Sequence, residues 1–187
     1  MDDNGVTNYF APGIIIAAPE LKDPNFYHSV VLMIEHNENG AFGLVINSPL
    51  ETTVTEFLST LDIKYRGPSD KPALLGGPVG HDHICFIHSS KYDWEETLKI
   101  SESVSLSFTM EGLRELSDVG ETDFYVLIGS SGWGPLQLED EVSSGAWFTH
   151  HITAELLFNT PYDKMWEEAF RSMGVDPLML HGSQTIQ

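Results

Sequence analysis

Apolar residues in this chain gather into short, dense runs, and those runs predict its elements. Residues 13–18 (GIIIAA) and 30–34 (VVLMI) are continuously apolar rather than alternating. Such strands are covered on both faces, as in an α/β sheet or a barrel core. Asn39-Gly40 then predicts a tight hairpin, and residues 41–47 return as a strand with Gly43 in its interior. Residues 83–88 (HICFIH) read as another strand, and 124–128 as a second fully apolar one. Residues 98–101 and 104–108 alternate apolar and polar, which predicts a sheet with one wet face.

The pattern changes to a helical period in three places. Thr53 and Glu56 form a capping box, followed by Val54, Phe57, Leu58 and Leu61 on one helix face. Residues 110–118 carry Leu113 and Leu116 inward, with Gly120 just past the end. Near the C-terminus Thr160 reads as a cap and Pro161 as the first helical position, and Met165, Trp166, Ala169, Phe170 and Met173 form the apolar stripe. A further helix is predicted after Pro135, up to Val142. The pattern as a whole predicts an α/β (α+β) fold: one compact domain over residues 1–180, a mixed sheet flanked by about four helices, and a flexible polar tail over 181–187.

Composition narrows the function. The 187 residues include 9 Lys+Arg against 28 Asp+Glu, a net charge of −19. That charge repels a phosphate backbone, and no two basic residues are adjacent, so direct nucleic-acid binding is disfavoured. One cysteine, Cys85, excludes an internal disulfide and suits a reducing compartment. Asp2 and Asp3 at the start do not fit a secretory signal, and no apolar stretch approaches the roughly 20 residues of a membrane helix. The expectation is a cytoplasmic protein.

Candidate chemistry is sparse. His81, His83 and Cys85 share one strand face, but the spacing is no standard metal motif and a fourth ligand is missing. His150 and His151 would point to opposite faces of their strand. The segment from Gly129 to Gly134 (GSSGWG) reads as a glycine loop between a strand and a helix, where backbone N–H groups suit an anion. It is neither a Walker A motif, nor GxGxxG, nor a Gly-x-Ser-x-Gly elbow. The Glu139-Asp140-Glu141 run reads as a solvated helix face.

Several blocks together resemble the bacterial YqgE/AlgH family: residues 17–50, 74–88 (LLGGPVGHDHICFIH), 129–142 (GSSGWGPLQLEDEV), 146–150 (AWFTH) and 159–176. They keep the family's order and cover most of the chain. The matching positions are Pro19, Asp23-Pro24, Phe26, Ser29, Val30, Glu35-His36, Gly40, Gly43, Asn47, Pro49, Gly76-Gly77-Pro78, His88, Gly132-Trp133, Gln137-Leu138-Glu139 and Trp147. His81, His83, Cys85 and the Ser130-Ser131 pair depart from the pattern. The resemblance implies a split-barrel-like sheet with flanking helices. It also carries a label of transcriptional regulation, which names a phenotype and no chemistry.

The resulting expectation is a non-enzymatic cytoplasmic protein that binds a partner or small ligand and regulates indirectly. Its expected site is a groove where Pro19, Asp23, Phe26, Asn47, Pro49, Gly132 and Trp133 converge, with no cofactor and no metal. The alternative is an enzyme or anion binder using the 129–134 loop with Glu35, His36 and His88 as acid–base groups.

Overall fold

The structure, a computed structural model, describes residues 9–180. Among the described residues ten strands form a curled half-barrel, whose path runs through Trp147–His150 (β10), Gly13–Ala17 (β1), Val30–Asn37 (β2), Gly40–Val45 (β3), Phe124–Trp133 (β9), Val79–Ser89 (β6), Val104–Ser107 (β8) and Leu98–Lys99 (β7). β1 (Gly13–Ala17) lies antiparallel between β2 (Val30–Asn37) and β10 (Trp147–His150). All five residues of β1 are buried, which accounts for its unbroken apolar run. β2 and β3 (Gly40–Val45) form the predicted hairpin, with Asn37 paired to Gly40. The turn itself is Glu38-Asn39, and Gly40 opens β3 at φ 129°. Its glycine serves a close approach as well, because a Cβ there would stand 2.2 Å from the Trp133 carbonyl oxygen.

β9 (Phe124–Trp133) is the strand that joins the two halves. Residues 131–133 pair with β3, residues 124–130 pair with β6 (Val79–Ser89), and Leu127 and Ile128 pair in parallel with β5 (Pro72–Leu75). The predicted glycine loop at 129–134 is therefore corrected: strand pairing continues through Trp133. Gly129 adopts φ 78° and bends the strand without ending it. A short β4 (Pro49–Thr53) pairs with β5 and leads into the Thr53 cap of the next helix.

Six helical segments occur among the described residues, where about four were expected. α1 (Val54–Ser59) keeps its capping box, with the Thr53 hydroxyl and the Glu56 carboxylate exchanging bonds with each other's backbone N–H. α2 (Met110–Val119) ends on Gly120 in the left-handed region. α3 (Gln137–Ser143) is seven residues long. α4 (Ala154–Phe158) and α6 (Pro177–Leu180) are additional. α4 has its own cap signal: the Thr153 hydroxyl accepts from Leu156 N–H. α5 (Tyr162–Ser172) starts one residue later than expected, because Pro161 is its cap position and the Thr160 hydroxyl bonds back to Glu155. The predicted tail at 181–187 lies outside the described residues.

Three apolar clusters hold these elements. One face of the β1–β2–β3 sheet packs Ile14, Ile16, Leu32 and Leu44 with Trp166 and Phe170 of α5. The opposite face packs Ile15, Val31, Val45, Trp133 and Trp147 with Leu138 of α3. A third cluster joins α1 and α2 to Phe86, Phe124 and Val126. No helix among the described residues is long and apolar enough to cross a membrane.

Candidate functional site

The expected groove is largely filled by the protein itself. Phe26 stacks on Trp133 with ring centroids 5.9 Å apart and meets Trp147 edge-on at 5.4 Å. The 19–26 loop and the end of β9 thus converge as expected, but they converge by packing. Buried indole N–H groups need acceptors. Both Trp133 Nε1 (3.0 Å) and Trp147 Nε1 (2.7 Å) donate to Glu141 Oε2, while Gln137 donates to Oε1 (2.9 Å). Glu141, read from sequence as part of a solvated acidic face, is therefore an internal acceptor. Its signal was present as a carboxylate near two tryptophans with no other assigned partner.

The other expected site residues divide by role. Asp23 is exposed and makes a turn, accepting from Asn25 N–H through Oδ1. Asn47 clamps the end of the same loop: its Oδ1 accepts from Val30 N–H and its Nδ2 donates to the His28 carbonyl, both at 2.9 Å. Pro19 is buried, whereas Pro49 and Gly132 are exposed.

The structure does not bring Glu35, His36 and His88 into one site. Glu35 is exposed. His36 sits under α3 with its side chain wholly buried. Its Nδ1 accepts from Phe10 N–H (3.0 Å), so the ring's proton is on Nε2, which faces Glu139 Oε1 at 3.2 Å. That contact is within ion-pair distance but off hydrogen-bond alignment, since His36 Nε2 and Glu139 Oε2 both lack a hydrogen-bond partner.

His88 is also fully buried, in a different part of the molecule. Phe86, Tyr92 and Trp94 surround it. Its Nδ1 donates to the Ser89 carbonyl (2.9 Å), which leaves Nε2 to accept from the Ser107 hydroxyl (2.9 Å). Ser107 accepts in turn from Thr97 (2.8 Å), and Thr97 accepts from Trp94 N–H (3.0 Å). The chain is directed and complete. Burial pushes the imidazole below its ordinary range, against the opposing pull of the Ser89 carbonyl and Asp93. The same network corrects β8 (Val104–Ser107): all four of its side chains are buried, so it has no wet face. Ser105 and Ser107 read as solvent-facing by alternation but point to Ser90 and His88.

An open pocket does exist, along the other flank of β9. Between the pairs Val79–Ser130 and Ile84–Ile128, β6 advances five residues while β9 advances two. Phe42 and Leu44 of β3, Ile84 and Cys85 of β6, and Leu113 of α2 line a cavity of about 450 Å³, with Phe108 and Met110 also lining it. Those two side chains are 47% and 44% exposed despite being large and apolar.

The polar groups of the pocket are His83 and Ser130. A Cβ on Gly80 would stand 3.0 Å from His83 Nδ1 and 3.7 Å from Ser130 Oγ, so that bare position lies between them. Burial pushes the Cys85 thiol up to about 12, which keeps it protonated and poorly suited to nucleophilic or metal chemistry at neutral pH. Of the expected 129–134 segment, Gly129 and Ser130 reach this pocket. His150 and His151, expected on opposite faces, have ring centroids 4.2 Å apart, because the strand ends at His150.

The family described as AlgH-like (DUF179) matches residues 14–178. A UPF0301 protein of Vibrio parahaemolyticus is 34% identical over 182 residues, covering 94% of this chain and 95% of its own. One from Thioalkalivibrio sulfidiphilus is 37% identical over 175 residues, covering 92% and 94%. The solution structure of the AlgH protein from Pseudomonas aeruginosa superposes with a TM-score of 0.74 at 31% identity, covering all of both chains. A crystal structure of a Corynebacterium diphtheriae protein, 19% identical, shares the fold with a TM-score of 0.73 over 92% of this chain and 90% of its own. With the family model spanning residues 14–178 and relatives 34% and 37% identical over 94% and 92% of its length, the chain belongs to the AlgH-like family.

Proposed function

We propose that this protein is a non-enzymatic binding protein of the cytoplasm, and that its site is the pocket between β3, β6, β9 and the start of α2. The ligand class is a small, largely apolar molecule with one hydrogen-bonding group for His83 or Ser130. Any regulatory role is then indirect, through occupancy of this pocket.

The observation that carries the reading is the lining: a concave space of about 450 Å³ walled by Phe42, Leu44, Ile84, Phe108, Met110 and Leu113. That volume falls within the range of small-molecule sites, which are mostly apolar with a few placed polar groups. The acid–base alternative has less support, because His88 is sealed in a complete hydrogen-bond chain and His36 lies under α3. A phosphate ligand is disfavoured by the net charge of −19.

The test is a thermal-shift panel of neutral apolar compounds and polar metabolites, followed by mass spectrometry of each hit. An apolar hit raises the melting temperature by mass action and is recovered chemically unchanged. Recovery of a converted product, or hits confined to polar anions, would overturn the proposal.

A further inference from the structure

A second, smaller cavity lies elsewhere in the molecule, at the start of α5. It has a volume of about 210 Å³ and is lined by Tyr27, His28, Asn47, Tyr162, Asp163, Trp166 and Glu167. Tyr162, Asp163, Trp166 and Glu167 fall at i, i+1, i+4 and i+5, which places them along one side of the helix. Opposite them, His28 is held between two rings. Its centroid is 3.8 Å from Trp166 and 4.0 Å from Tyr27, and both pairs are nearly parallel. The Asn47 amide fixes the His28 carbonyl, and His28 takes a left-handed φ of 51° to enter this stack. Tyr27 is 65% exposed, so one side of its ring is covered and the other is open to solvent.

We infer that this cavity is a binding site for an organic cation, an ammonium or guanidinium group, held by the tyrosine rings and the carboxylates of Asp163 and Glu167. Aromatic faces attract cations through their quadrupole, and carboxylates supply the opposite charge. Two local charges oppose or compete. The α5 N-terminus contributes roughly half a positive charge, against two full negative ones. Arg171 lies 3.4 Å from Glu167, but that pair is exposed and readily exchanged. The surplus of acidic residues over the whole chain favours approach of a cation. This site is separate from the apolar pocket, and neither depends on the other.

The test follows the Trp166 indole N–H resonance by NMR during titration with acetyl-lysinamide, acetyl-argininamide, methylammonium and the uncharged acetyl-norleucinamide. A saturable shift is expected with the cations, with Kd weakened about tenfold in Asp163→Asn/Glu167→Gln and weakened further by salt. Asp163 and Tyr27 are exposed, so the spectra of these variants and of Tyr27→Ala should remain those of the folded protein. Methylammonium binding as well as acetyl-lysinamide assigns the site to free amines. A preference for acetyl-lysinamide or acetyl-argininamide assigns it to a partner's basic side chain. No saturable shift at Trp166, an equal response to acetyl-norleucinamide, or unchanged Kd in the double variant would overturn the inference.

Discussion

The two flanks of β9 have opposite characters. At its C-terminal end Trp133 is locked against Phe26 and Trp147, with the indole N–H groups of both tryptophans bonded to Glu141. A few residues earlier, Gly129 and Ser130 line a cavity that also carries the exposed Phe108 and Met110. One region spends its aromatic residues on internal packing, and the other leaves apolar side chains facing solvent. Stability is expected to depend on the first region, and binding on the second.

The largest expected effect comes from Trp133→Ala, which opens the sealed region. Truncating a buried tryptophan costs about 3–5 kcal/mol, and the melting temperature should fall by roughly 10 °C in a calorimetric scan. Glu141→Gln is expected to cost on the order of 2 kcal/mol by chemical denaturation, because the amide brings donors toward two buried indole donors. A Glu141→Gln protein as stable as the parent would break the distinction between the regions.

The His88 network gives the next effect. Its folded imidazole titrates below the ordinary value, so the neutral ring is favoured in the fold. That contribution is complete above about pH 6.5 and is lost as pH falls below it, with a slope of at most about 1.4 kcal/mol per pH unit. Comparing denaturation of the parent and His88→Gln between pH 7.5 and 5 should show a steeper loss of stability in the parent, the remainder in the variant including His150, which is also shifted down by burial. The smallest effect is expected at the pocket mouth: Met110→Glu should change stability by no more than about 0.5 kcal/mol, since the side chain is already half in water.

Local signals in the sequence are legible where the backbone settles its own hydrogen bonds. The Thr53 capping box and the Gly120 terminator need only neighbouring residues, and both stand as expected. The uninterrupted apolar runs of β1 and β9 likewise report burial on both faces. The errors arise where a distant partner decides. Residues 129–134 look like a loop from their glycines and serines, but β3 and β6 supply ladder partners from far along the chain. Ser105 and Ser107 look solvated until His88, Thr97 and Ser90 meet them. Phe26 and Trp133, expected to border a groove, stack on each other, because two large rings fill the space between their segments. The pocket depends on a bulge between β6 and β9, and Gly80 alone hints at it in the sequence.

On the proposed reading, the β3–β6–β9–α2 cavity takes an apolar ligand. The most direct measurement is titration of the protein with N-phenyl-1-naphthylamine, an uncharged fluorophore that brightens in dry surroundings. The parent and Tyr27→Ala should show one saturable site of equal Kd, and Met110→Glu together with Phe108→Glu should weaken it about tenfold while the fold persists. Fluorescence that fails to saturate, or binding undiminished in the Met110→Glu/Phe108→Glu protein, would contradict the assignment.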